Sequence, residues 1–161
     1  MMTEKNSFVL QLLESYSRRA QQIELLHYEL EHMACITPDE VIDAMSFARG
    51  DGSGRAKGHI SNKTFYIALN YQEKANQLNQ AAADEIASRL MELEQEQNRL
   101  KYYVSLLDKR QKEAIQLFYF EGMPWGEVAQ KLGIALRTVH KIRVEAIDQL
   151  TRMYEFTGAA K

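Results

Sequence analysis

Apolar residues recur at threes and fours along most of this chain, the period of an amphipathic helix and not the alternation of a strand. Phe8, Leu12, Tyr16, Ala20, Ile23, Leu26, Leu30 and Met33 predict one long helix over about residues 6–34. Thr37-Pro38-Asp39-Glu40 then reads as a capping box with proline at the first helical position, and predicts a short helix over about 38–47. From Ser61, a candidate N-cap, neither proline nor glycine occurs until Gly122, so one or two long helices must fill that interval. Within it Ile86, Leu90, Leu93, Leu100, Val104 and Leu107 form a four-three repeat interrupted by Gln97, and Ala68, Ala75 and Ala82 continue the phase upstream. A helix over about 62–107 cannot bury this stripe alone. Its partner is the first helix, folded back as an antiparallel hairpin, or the same helix of another subunit. Gln97 either fixes the register of that seam or sits at a wet position in it.

After Asp108 the pattern shortens. Asp108 or a neighbour caps a helix carrying Ala114, Ile115, Phe118 and Tyr119, which stops at Gly122. Pro124 opens the next helix, ending at Leu132-Gly133, and the last helix runs from about Leu136 to Phe156, with fraying expected beyond Arg152. Val128, Ala129 and Leu132 on one segment face Val139, Ile142 and Ile147 on the next, with Gly133 between. Ala129 is small where two helices would cross, and Gly133 can take the left-handed conformation of a short turn. This is helix-turn-helix spacing. The fold class is therefore all-α: a long helical hairpin or coiled coil over residues 1–107, then a compact helix-turn-helix bundle over 108–161.

Composition narrows the function classes. A chain of 161 residues with 45% apolar content and two prolines suits a helical, folded protein. No run approaches the roughly 18 apolar residues of a membrane span, and the polar start MMTEKNSF lacks an apolar signal core. A cytoplasmic setting is expected. Cys35 is the sole cysteine; an apolar neighbourhood suggests a small buried hydrophobe in place of a nucleophile. The net charge of −2 decides nothing, but its distribution matters: Glu85, Glu92, Glu94 and Glu96 acidify the middle, and basic residues gather beyond Lys101. Residues 48–60, beginning ARGDGSGRAKGH, hold four of the eight glycines. They lack the Gly-Lys-Ser/Thr ending of a phosphate loop and the alternating carboxylates of a calcium loop, so they read as a flexible linker. His27 and His32 lie five apart and diverge on a helix. No metal, cofactor or catalytic constellation is expected, and no enzymatic activity.

One face of the last helix stays polar. Arg137, Thr138, His140, Lys141 and Arg143 occur with no acid between Leu136 and Val144. In the second helix of such a motif these residues meet the DNA major groove: Arg137 donates to guanine, Thr138 contacts phosphate or a thymine methyl, Lys141 lies one turn on, His140 and Arg143 meet phosphate, and Leu136 lies against a thymine methyl or over the turn. Trp125 either anchors the start of the motif's first helix or donates its indole N–H to phosphate.

Two stretches carry a resemblance. Ile115-Gln116-Leu117-Phe118-Tyr119 with Glu121-Gly122, Glu127-Val128-Ala129, Leu132-Gly133-Ile134, Thr138-Val139 and Ala146-Ile147-Asp148-Gln149-Leu150 resemble region 4 of bacterial sigma factors. Upstream, Val41 to Arg49, the glycine-rich gap, Asn62-Lys63-Thr64 and Ile67 to Tyr71 look like phage late-transcription regulators of the RinA and ArpU kind. Region 4 usually places Ser or Thr before its recognition helix, where this chain has Ala135. No segment matches the sigma region that melts the −10 element. The resemblance implies a sequence-specific regulator of phage or prophage late genes that binds double-stranded DNA, contacts RNA polymerase and dimerises through its coil. An alternative expectation is a phage assembly or small-terminase-like oligomer for which DNA contact is secondary.

Overall fold

The computed structural model describes residues 4–48 and 62–159. Its elements are α1 (Glu4–Glu14), α2 (Tyr16–Glu31), α3 (Pro38–Ala48), α4 (Asn62–Ser105), α5 (Lys109–Ile115), a π turn (Gln116–Phe120), α6 (Trp125–Leu132) and α7 (Leu136–Phe156). The all-α reading holds, with no strand among the described residues. No helix among them is long and apolar enough to cross a membrane. The glycine-rich linker expected over 48–60 falls, apart from Ala48, outside the described residues. Two compact units emerge, Met1–Leu25 with Met91–Lys161, and Leu26–Leu90.

In the first unit, α1 and the start of α2 lie against the end of α4. Their apolar faces meet as Val9, Leu12 and Leu13 against Leu100, Val104 and Leu107, together with Ile115, Tyr119, Ala146, Ile147, Leu150 and Tyr154 from the C-terminal bundle. The single helix expected over about 6–34 is instead two segments meeting at Ser15, and the second ends at Glu31. The cause is local. The Leu12 carbonyl, which would continue the helical ladder, accepts from Ser15 Oγ at 3.3 Å and from Arg19 Nη2 at 3.2 Å.

Arg19 is the largest departure from the apolar pattern, only 4% exposed. Its Nη1 donates to Gln97 Oε1 at 2.8 Å, its Nη2 also donates to Ser15 Oγ at 2.8 Å, and its Nε lies 3.1 Å from Glu96 Oε2. Gln97, itself 3% exposed, donates from Nε2 to the Tyr16 carbonyl at 3.3 Å. The polar residue that interrupts the α4 stripe is thus dry and partnered, the register-fixing alternative and not the wet one.

The end of α7, expected to fray beyond Arg152, is bound into the core. Tyr154 is 1% exposed, its ring edge-on to Phe8 at 5.8 Å and to Tyr103 at 4.8 Å. Gly158 (φ 66) closes the helix, with Ala159 N donating to the Tyr154 carbonyl and Gly158 N to the Glu155 carbonyl. Aromatic packing from α1 and α4, unseen in the α7 sequence, outweighs the entropy of a terminal turn.

The turn of the helix-turn-helix is held by the same device. Gly133 has φ 65 and ψ 33; its N–H donates to the Gln130 carbonyl at 3.2 Å, and Ile134 N to the Ala129 carbonyl at 3.1 Å, which makes a Schellman cap. Ala135 stands at the N-cap of α7 with φ −68 and ψ 146 and no side-chain cap bond. Pro124 does the same for α6.

In the second unit the capping box forms as expected: Thr37 N donates to Glu40 Oε2 at 2.8 Å, and Glu40 N to Thr37 Oγ1 at 3.3 Å. Asn79 on α4 clasps the chain before α3, accepting from Ile36 N at 2.7 Å and donating to the Ile36 carbonyl at 3.0 Å. Ala75 is fully buried and Val41 nearly so, consistent with close packing at a small residue. Cys35, expected to be buried, is exposed. It lies in the connection after α2 has ended, where helical periodicity no longer governs which side is covered.

Four stability outcomes follow from these contacts. Gln97→Leu leaves a buried guanidinium short of an acceptor and should cost about 1–3 kcal/mol in urea unfolding, and the Arg19→Met/Gln97→Leu pair should recover much of that loss, since apolar replacements remove both polar partners together. Among the described residues the Tyr154 hydroxyl has no hydrogen-bond partner, and burial pushes that phenol up to about 12. Because the unfolded phenol ionises near pH 10, stability present below pH 10 is lost as pH rises toward 12. Tyr154→Phe should be no less stable than the parent at neutral pH and should lose less between pH 10 and 12, whereas Tyr154→Ala should cost about 3–5 kcal/mol. Ala135→Ser should raise the urea midpoint by adding about 1 kcal/mol of capping. Gly133→Ala should lose about 1–2 kcal/mol through backbone strain alone, since a Cβ there would meet nothing within 4 Å.

Candidate nucleic-acid interface

The motif is built from the inside outward. Val128 and Ala129 of α6 pack on Val139 and Ile142 of α7, over Ala114 and Leu117, with Leu132 and Ile134 sealing the turn. Burying Val139 and Ile142 fixes the rotation of α7, because residues three and four apart share one face. The opposite face is then solvent-facing by geometry. Leu136, Arg137, Thr138, His140 and Lys141 are all exposed, and Leu136 keeps 46% of its surface. Arg137 and Lys141, four apart, lie on one line along the helix. Lys141 approaches Glu145 at 3.9 Å, but with side chains 77% and 53% exposed this pair is weak and leaves the ammonium available.

Arg143 is placed differently. It is half-buried, its Nε donating to the Tyr119 hydroxyl at 3.0 Å and its guanidinium carbon 5.6 Å from the Trp125 ring centroid. The sequence grouped Arg143 with the basic face; the structure separates it from Arg137 and Lys141. Trp125 stacks on Phe118 at 3.8 Å with planes 10° apart, so its core-anchoring alternative is the one seen. His140 flanks it, ring centroids 5.8 Å apart.

Tyr119 was read only as a core position. It is 7% exposed, and burial raises its phenol above the ordinary value, with the Arg143 hydrogen bond acting in the opposite direction. Its role comes from the π turn: Glu121 N donates to the Gln116 carbonyl at 3.0 Å, five residues back. The adjacent residues Phe118 and Tyr119 both reach Trp125, the first stacked and the second edge-on at 6.1 Å. A signal for Arg143 was present in the sequence, since it lies four residues after the buried Val139 and therefore shares its face. The π turn shifts the helical phase and left no such signal for Tyr119.

The exposed cations suit electrostatic contact with phosphate, and a fork-shaped guanidinium such as that of Arg137 suits the edge of guanine. Among the described residues no cluster of side chains could hold a metal ion.

Comparison with known proteins places this geometry. Residues 97–150 match the family model described as Sigma-70, region 4. A stretch of 57 residues is 37% identical to a UPF0122 protein of Desulforamulus reducens, covering 35% of this chain. The chain spans about half of that relative, 49% of its length. No solved structure gives a significant match. The matched segment begins at Gln97 in the buried polar node and ends at Leu150 in the core, taking in α5, the π turn, α6 and most of α7. Residues 97–150 are thus similar to sigma-70 region 4, and within them α6 and α7 form a helix-turn-helix.

Proposed function

We propose that this protein is a sequence-specific regulator of transcription that lays the N-terminal half of α7 in the major groove of double-stranded DNA. The observation that carries the reading is the rotation of α7: Val139 and Ile142 are buried against α6, while Arg137, Thr138, His140 and Lys141 face solvent from the first turns. Arg137 and Thr138 sit where base edges are met, Lys141 and His140 where the backbone runs, and Leu136 where a thymine methyl would be covered. The reading involves no enzymatic step and no cofactor. The sequence resemblance supports a narrower version, a phage or prophage late-gene activator that touches RNA polymerase in a bacterial cytoplasm.

Dimerisation through the coil is part of the proposal. Within the second unit Tyr28, Ile36, Ile42, Leu69 and Leu78 remain 38–59% exposed, more apolar surface than a small helical unit needs to present. The same surface supports the second reading, an assembly protein of higher order. Light scattering separates them: a monomer or dimer fits the regulator, a ring or larger oligomer fits the assembly protein.

Selection of bound duplexes from a random pool should yield a defined site, protected in footprinting. Arg137→Ala should cost about 1–3 kcal/mol at one base position, and Lys141→Ala should weaken all sequences alike and lower the salt slope by about 1. Affinity and salt slope indifferent to both substitutions would sink the groove assignment.

A further inference from the structure

Arg143 belongs by sequence to the basic run of α7, yet its geometry is that of a part held from behind. Its Nε–H is committed to the Tyr119 hydroxyl at 3.0 Å, and its guanidinium lies over Trp125 at 5.6 Å. Trp125 is fixed in turn by Phe118 at 3.8 Å, and Phe118 and Tyr119 meet edge-on at 4.8 Å. Tyr119 from the π turn and Trp125, the first residue of α6, thus meet one cation of α7, with Phe118 packed against both. A guanidinium engaged through both its face and its Nε–H is constrained in two directions, which an ammonium on a flexible stem cannot reproduce. The hydroxyl that accepts this hydrogen bond belongs to a residue only 7% exposed, so little of it is open to water.

We infer that Arg143 is a positioning residue, clamped by Tyr119 and Trp125 to set the orientation of the recognition helix, and that it makes no phosphate contact. This rests on the reading of α7 as a DNA-recognition helix and deepens it: specificity at the bases facing Arg137 depends on a hydroxyl in the π turn that itself touches no DNA. A phosphate contact requires only the positive charge of Arg143. A clamp requires its shape and the Tyr119 hydroxyl. Tyr119→Phe and Arg143→Lys separate these requirements, since the first removes one oxygen and the second keeps the charge.

The experiment measures affinity for the selected site and for a scrambled duplex across a salt series, with the full chain, its two single variants and the double variant. Circular dichroism and urea midpoints check that each variant folds. The expected result is that each single variant loses specific affinity on the order of ten-fold, the size associated with a charge-assisted hydrogen bond. The double variant should lose no more than the worse single variant. Scrambled-duplex affinity and the salt slope should stay at parent values. In the free protein, the Arg143 Nε–H NMR signal should exchange slowly in the parent and rapidly in Tyr119→Phe. Full retention of specific binding by Arg143→Lys, or an Arg143 Nε–H signal unchanged by Tyr119→Phe, overturns the inference. So does Arg143→Ala lowering the salt slope by about one ion while Tyr119→Phe binds like the parent. A parent protein that selects no site overturns the DNA reading itself, and the positioning role with it, which distinguishes that failure from the loss of the clamp alone.

Discussion

A guanidinium taken out of water must have its N–H groups met by acceptors, or the cost of its burial is not recovered. Arg19 meets that condition only when α2 lies against α4 in one register, because its acceptors come from both sides: Ser15 and the Leu12 carbonyl from its own strand of helix, Gln97 and Glu96 from α4. Apolar contacts alone would tolerate a slide by a turn, since Val9, Leu12 and Leu13 could meet other aliphatic residues at similar gain. The polar node penalises the slide. It also engages the Leu12 carbonyl beside Ser15, where α1 gives way to α2.

The C-terminal motif depends on that platform. Leu100, Val104 and Leu107 of α4 share a core with Ile147, Leu150 and Tyr154 of α7, so the segment that holds Gln97 also holds the rear of α7. The front of the same helix is held by α6 through Val139 and Ile142, and by the Tyr119–Arg143 contact. Packed along one face from Val139 to Tyr154, α7 tolerates Ala135 where a hydroxyl would add stability. Two left-handed glycines, Gly133 and Gly158, stop α6 and α7 at fixed residues, so their lengths do not drift.

Charge and burial divide the residues of α7 between two tasks. Arg137 and Lys141 are exposed, so their charges reach outward and respond to salt. Arg143, two residues beyond Lys141, is turned inward by the helical rotation and meets a buried phenol and an indole. A basic run in sequence is therefore not one surface. The 3.6-residue period sorts it into an exposed face and a residue packed on Tyr119 and Trp125.

The sequence by itself determined the helix-turn-helix, because its constraints are local. A small residue at Ala129, a left-handed Gly133, and apolar residues at helical spacing on either side are steric requirements met within a few residues of one another. The capping box at Thr37 and Glu40 and the extent of α7 were legible for the same reason. Only the tertiary structure decided what distant segments do to one another. Nothing near Arg19 announces an acceptor that lies on α4, and nothing in the α7 sequence announces that Phe8 and Tyr103 enclose Tyr154. Cys35 was misjudged because burial at a helix end depends on what packs there. The π turn escaped because one extra residue in a turn changes phase without changing composition. That turn is what brings Tyr119 to Arg143: the spacing in the chain determined the motif, and long-range packing decided which of its cations is free to face outward.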